Sequence, residues 1–276
     1  MLSVFQAKPL LETKRKGKTS ALSSEDLGRT KTEVELSDEV VRFPSGIVSW
    51  SLLEEIAKEE RKVFRIEGGE LHAIHVFSET TGWVRVLCPS PTAPTVLVSG
   101  IPMHRIKDTD PMADTRAKLS ALGTPRGRLL DTATGLGYTA IAAAKSAQEV
   151  VTIELDPAAL EIARQNPWST ELFSSPKIRQ IVGDAFEEVA KLPSGYFSDV
   201  IHDPPMMALG GELYSEAFYE QLHRVMTRGG RLFHYIGDPN SGVGKRAYPG
   251  VMKRLGEAGF KKIARAEAAY GVVGVS

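Results

Sequence analysis

The sequence predicts an α/β protein: a doubly wound, mostly parallel seven-stranded sheet closed by an antiparallel last strand, with a small, mostly-β domain in front of it. Three observations carry this prediction. From residue 128 onward, strand-like and helix-like periods alternate, and repeated βα units build parallel sheets. A glycine-rich turn, Gly135-x-Gly137, follows the first of these strands, where such sheets bind their ligands. Finally, the last two strands meet around Ala269-Tyr270-Gly271 almost without a loop. A parallel pair needs a long crossover, so this pair is antiparallel.

A chain of 276 residues holds one large domain, or a medium one with a smaller companion. Lys+Arg and Asp+Glu both number 34, which argues against a polybasic nucleic-acid coat or an acidic tail. The single cysteine, Cys88, excludes a disulfide framework and a thiolate metal cluster. No HExxH or other His/carboxylate cluster appears, so no metal is expected. The N-terminus lacks a signal peptide's apolar core, and no apolar run reaches the roughly 20 residues of a membrane span. A soluble, cytoplasmic chain with no membrane partner is expected.

Residues 1–105 form the first expected domain. Residues 1–30 carry Lys8, Lys14, Arg15, Lys16, Lys18 and Arg29, and are expected to be a solvated arm, with RNA contact as the sharper alternative. Strand periods follow at 32–36 and 40–43 around Ser37-Asp38-Glu39. Ser51-x-x-Glu54 has the form of a capping box for a helix running to about residue 58. A second hairpin is expected at 63–66 and 71–77, and further strands at 84–88 and 96–99. This domain reads as a substrate-positioning or interaction module.

Residues 106–276 form the second. Asp110 caps a helix that begins at Pro111 and ends near residue 122. Strands are then expected at 128–131, 150–154, 178–182, 198–202 and 231–236, with the closing pair near 261–268 and 270–275. Helices are expected at 138–147, 157–165, 185–191, 215–226 and 249–258, with 237–245 a mobile loop on the substrate side.

The first turn runs Asp131-Thr132-Ala133-Thr134-Gly135-Leu136-Gly137-Tyr138. Its glycines allow a tight turn and a close ligand. Glu154 ends the second strand, where an acid accepts hydrogen bonds from ribose hydroxyls, with Leu155 beside it. This spacing also fits a dinucleotide fingerprint, which keeps an NAD(P) enzyme in contention. Three features favour S-adenosyl-L-methionine (SAM) instead. Asp131 would oppose a pyrophosphate but suits a sulfonium and an ammonium group. Asp184, with Ala185 after it, offers an acid for an adenine amino group. The antiparallel closing pair is foreign to the usual dinucleotide sheet.

On these residues the stretch from 129 to 276 resembles a class I SAM-dependent methyltransferase, with its Rossmann-like seven-stranded sheet. Its Asp-x-Gly-x-Gly-x-Gly pattern is met by Asp131, Gly135 and Gly137, with Ala133 in place of the first glycine. The resemblance implies SAM binding by Asp131, Thr132, Ala133, Gly135, Gly137, Tyr138, Glu154, Leu155, Asp184 and Ala185.

Asp203-Pro204-Pro205 after the fourth strand resembles the (Asp/Asn)-Pro-Pro-aromatic motif of amino-group methyltransferases. The prolines fix φ and carry no N–H, so the Pro204 carbonyl is left as an acceptor. With the Asp203 carboxylate it can grip an amino group and aim its lone pair. Met206 stands where base-modifying members place an aromatic ring, which shifts the expectation toward a flexible aliphatic amine. Residues 211–235 and the forward β domain resemble the spermidine synthase-like aminopropyltransferases, which use an aspartate at the position of Asp203. As a whole the chain resembles an uncharacterised group of archaeal methyltransferase-like proteins. The expected reaction is methyl transfer to an amino group of a small amine or an RNA base, with a homodimer left open. Aminopropyl transfer from decarboxylated SAM is one alternative, and a non-catalytic SAM- or RNA-binding module is the other. His202 and His234, at strand ends, are weighed both as pocket residues and as packed ones.

Overall fold

The continuous apolar run Val150-Val151-Thr152-Ile153 is what a strand covered on both faces requires, and in the structure all four residues are fully buried. The structure is a computed structural model that describes residues 1–205 and 210–276. It builds the sheet from β1 (Arg128–Asp131), β2 (Glu149–Glu154), β3 (Ile178–Val182), β4 (Phe197–His202), β5 (Met226–Tyr235), β6 (Lys261–Ala266) and β7 (Gly271–Val275). Their order is β3-β2-β1-β4-β5-β7-β6. The first five strands are parallel, and β7 runs antiparallel to both β5 and β6. The strand order reverses between β1 and β4, so a crevice is expected outside their carboxyl ends.

The chain divides into two compact units, Met1–Met112 with Ala158–Thr170, and Ala113–Pro157 with Glu171–Ser276. From residue 111 onward the helices include α1 (Pro111–Leu122), α2 (Tyr138–Ala144), α3 (Pro157–Gln165), α4 (Ala185–Lys191), α5 (Glu216–Val225) and α6 (Gly242–Glu257). Leu130, Val151, Val200 and Leu232 of the strands share one core cluster with Val189 of α4, Phe218 and Leu222 of α5, and Val251 and Leu255 of α6. Each such side chain contributes about 1.5–3 kcal/mol on burial.

Two expectations in this half are corrected. β5 begins five residues before 231, at Met226. α6 begins at Gly242, not at Pro249, because the Ser241 hydroxyl accepts from the Gly244 N–H at 2.9 Å and caps the helix there. Pro249 therefore lies inside α6, and residues 242–245 of the supposed mobile loop are helix.

The first unit contains two four-stranded antiparallel sheets and a two-stranded one. The solvated arm expected at residues 1–30 is corrected: Val4–Arg15 is a helix. A capping box starts it, with Ser3 Oγ accepting from Phe5 N–H at 3.3 Å and Gln6 Oε1 accepting from Ser3 N–H at 3.0 Å. Leu2, Ala7 and Leu10 share a core cluster with Trp50, Leu53 and Ile56, while Lys8 and Lys14–Lys16 stay exposed. The second helix, Trp50–Ile56, is capped by Ser49 rather than by Ser51. Among the described residues no helix is long and apolar enough to cross a membrane.

Candidate functional site

The turn after β1 is shaped by two glycines in the left-handed region, Gly135 at φ +53° and Gly137 at φ +77°. A Cβ on Gly137 would sit 2.7 Å from a Leu172 methyl, which would have to shift, and the left-handed φ would strain any other residue there. Gly137 N–H donates to the Thr134 carbonyl at 2.7 Å, closing the turn at the start of α2.

Around this turn main-chain amides and a hydroxyl orient the carboxylates. Asp131, fully buried at the end of β1, accepts from the Ala133 N–H at 3.3 Å and the Thr152 hydroxyl at 3.2 Å. The Thr152 proton is then spent on Asp131, so Thr134 donates to Thr152, at 2.7 Å. Burial pushes the Asp131 carboxyl up to about 7, and the nearby charges of Asp203 and Glu154 act in the same direction. Glu154 is aimed by main-chain amides: one oxygen accepts from Gly135 N–H at 2.8 Å, the other from Asp156 N–H at 3.0 Å. Among the resemblance-derived residues, Thr132 and Tyr138 are buried, and the Thr132 hydroxyl is engaged with His202. Ala133 is partly exposed at the turn itself.

Leu155 lies just past the carboxyl end of β2 and is 49% exposed. Val182, which pairs in register with Glu154 at the end of β3, is 55% exposed. Sequence reasoning missed Val182, although apolar residues exposed at the ligand-binding end of a sheet are a usable signal. Asp184 follows as the N-cap of α4, accepting from Phe186 N–H at 2.7 Å, and Ala185 behind it is buried.

At the end of β4 the pattern is different. Asp203 Oδ2 accepts from Lys118 Nζ at 2.6 Å, and the same ammonium lies 2.9 Å from Asp114 Oδ2. Lys118 and Asp114 both come from α1, one helical turn apart, and both are buried. The Lys118 ammonium also sits 4.8 Å over the Tyr235 ring at the end of β5. Burial alone would lower the lysine's pKa, but the two carboxylates outweigh it and hold the value above the usual range. Lys118 is the main site residue that sequence reasoning missed.

Pro204 is buried and Pro205 exposed. The Tyr214 hydroxyl donates to the Pro205 carbonyl at 3.0 Å. Among the described residues none donates to the Pro204 carbonyl, the acceptor that the sequence singled out. Met206, the basis for expecting an aliphatic amine, lies outside the described residues.

The two histidines are packed. His202 Nε2 faces the Leu213 carbonyl at 2.8 Å, which can only accept, so the proton is on Nε2 and Nδ1 accepts from Thr132 Oγ1 at 2.7 Å. Likewise His234 Nδ1 donates to the His202 carbonyl at 3.2 Å, and Nε2 accepts from the Tyr219 hydroxyl at 2.9 Å. Burial pushes His202 down to about 3 and His234 well below its ordinary value. Both rings are neutral, satisfied core groups and exchange no protons at neutral pH.

The methyltransferase small domain model matches residues 112–239. The uncharacterized protein MJ1233 of Methanocaldococcus jannaschii is 41% identical over 256 residues, 91% of this chain and 87% of that one. Polyamine aminopropyltransferase 2 of Streptomyces coelicolor is 30% identical over 152 residues, 52% of this chain but only 27% of that longer protein. Among solved structures, spermidine synthase from Thermotoga maritima superposes with a TM-score of 0.57 at 17% identity, over 81% of this chain and 83% of that one. At that identity the likeness establishes the fold: the class I sheet with a small β domain ahead of it.

Proposed function

The chain belongs to the same family as the Methanocaldococcus jannaschii protein MJ1233, and from that premise we propose that it is a SAM-dependent enzyme transferring a methyl group to an amino group. One observation carries the cofactor reading. Main-chain amides and a hydroxyl aim Asp131 and Glu154 at the glycine turn, and two carboxylates so placed suit a cationic ligand. A pyrophosphate would be repelled from the same turn. The other parts fit as well: a left-handed glycine turn that lets a ligand approach the backbone, Glu154 for ribose hydroxyls, and exposed Leu155 and Val182 as apolar surface for a planar ring. The methyltransferase small domain match over residues 112–239 supports this reading.

Bound there, SAM supplies a sulfonium methyl that an amine lone pair displaces in line. The work of the chain is then positioning. Asp203 and the Pro204 carbonyl offer two acceptors for the two N–H groups of an amine, which fixes the direction of its lone pair. With both histidines neutral and packed, no His-centred proton relay takes part.

Aminopropyl transfer from decarboxylated SAM is the second reading, and the similarity to the Streptomyces polyamine aminopropyltransferase favours it. It would use the same Asp203. The test is turnover of Asp203→Ala and Asp203→Asn, with SAM and decarboxylated SAM as parallel donors. Asp203→Ala should lose roughly 10²-fold or more in turnover while donor affinity stays within a few-fold. Asn should be the milder change if the acceptor is neutral, because its amide oxygen still accepts a hydrogen bond, and nearly as severe as Ala if the acceptor is a protonated amine. Wild-type turnover in both variants would reduce Asp203-Pro204-Pro205 to a rigid turn.

A further inference from the structure

The Lys118 ammonium occupies the kind of position that an amine substrate would seek. It lies between the carboxylates of Asp203, at 2.6 Å, and Asp114, at 2.9 Å, with the Tyr235 ring face 4.8 Å away. A carboxylate pair with an aromatic face is a standard cradle for an ammonium group. Here the protein supplies the cation itself, from a side chain only 4% exposed.

We infer that Lys118 is a positioning residue that sets acceptor specificity: it holds Asp203 by Oδ2, leaves Oδ1 for the incoming amine, and excludes acceptors that arrive as cations. This inference rests on the proposed role of Asp203 as the group that meets the acceptor. Three physical consequences follow from the geometry. The bond to Lys118 fixes the carboxylate plane, so the free oxygen points in one direction. The ammonium on Oδ2 already draws on the carboxylate's charge, so Oδ1 serves as a hydrogen-bond acceptor rather than as the anchor of a second cation. A second ammonium on the same carboxylate would lie close to the first in a poorly solvated site, where like charges repel strongly. A neutral amine meets no such penalty, because it brings N–H donors and an available lone pair. The polyamines that aminopropyltransferases are named for are cations at neutral pH, so Lys118 separates the two reaction readings structurally.

Spermidine is the probe, and calorimetry on the full chain at near-physiological salt is the readout. Wild type should show no spermidine binding at Asp203. Lys118→Met vacates the ammonium position and should gain at least about tenfold in spermidine affinity, a gain that Asp203→Ala in the same background removes. Lys118→Arg keeps the cation and should remain like wild type. Loss of the lysine leaves two buried carboxylates facing each other, so the Asp114→Asn/Lys118→Met double variant is measured alongside, with the same expected gain and one charge fewer to bury. A purely structural lysine would alter stability but would not create a polyamine site. Wild-type binding of spermidine at Asp203 with a Kd below about 100 μM would overturn the inference whether or not the variants fold. So would the absence of any gain in a folded Met variant. SAM titrations on the same samples keep the two ideas apart: absence of SAM binding in wild type would sink the proposed cofactor, whereas the spermidine result reads Lys118 alone.

Discussion

Two acid-bearing regions of this sheet, one at the ends of β1 and β2 and one at the end of β4, are built from the same residue types but use different donors. After β1 and β2, Asp131 and Glu154 are gripped by three main-chain amides and one hydroxyl, all uncharged. After β4, Asp203 is gripped by a lysine ammonium. The chemistry of the donor decides what the turn is left able to do. Neutral donors orient a carboxylate without cancelling its charge, so the first region keeps a negative potential suited to a sulfonium and an amino-acid ammonium. A cationic donor orients the carboxylate and offsets part of its charge, so the second region keeps a directed acceptor beside a fixed ammonium. Within the first region the Asp131 carboxyl is pushed up to about 7 by burial, with Asp203 and Glu154 adding to the effect.

That shift offers the largest test of the contrast. Asp131 releases its proton near 4 when unfolded but near 7 in the folded chain, so between these values the native state holds a proton that the unfolded state has lost. Stability should therefore be greatest below about pH 4 as far as this group is concerned, fall as pH rises through the window, and level off above 7. Asp131→Asn should remove this fall and be the more stable protein above pH 7, by on the order of 2–4 kcal/mol. Denaturant unfolding at pH 5 and pH 8 checks it. A wild-type and Asn difference that does not change with pH would mean that Asp131 is not held the way the first region requires.

A smaller effect comes from Asp184, which the sequence marked as an adenine contact and the structure shows capping α4. Asp184→Ala should cost about 1 kcal/mol of stability through the lost cap. If the second carboxylate oxygen also serves the cofactor, SAM affinity falls in addition. Thermal unfolding with and without SAM separates the two, and a stability loss unchanged by SAM would confine Asp184 to capping.

How much of this was legible in the sequence depends on the range of the interaction concerned. The strands of the α/β half announce themselves as short apolar runs, and the Gly135-x-Gly137 turn as a local backbone demand, so the strands and the first turn follow from neighbouring residues. Asp203-Pro204-Pro205 is equally local. Lys118 was invisible because its partner lies 85 positions away, and a lysine in a helix is ordinarily solvated. The Asp114–Lys118 spacing fits an ordinary surface pair as well as a buried one. The N-terminal helix was missed for a related reason. Its many cations suggested an arm, but Leu2, Ala7 and Leu10 carry the burial, and Ser3 with Gln6 forms a capping box that deserved more weight than the charge. At His202 and His234, position at a strand end left a pocket role and a packed role both open. Only the partners Thr132, Leu213 and Tyr219, supplied from elsewhere in the chain, show them to be core.

The central claim is that the first region is a site for a cationic, SAM-type ligand. Calorimetry of the full chain with SAM, decarboxylated SAM and NADH in parallel, repeated on Asp131→Ala and Glu154→Ala, tests it most directly. The account predicts micromolar SAM binding that strengthens as pH rises through 7, weakened by about 1–3 kcal/mol in each variant through lost charge-assisted hydrogen bonds. Tight NADH binding, or SAM affinity unchanged in both variants, would contradict it.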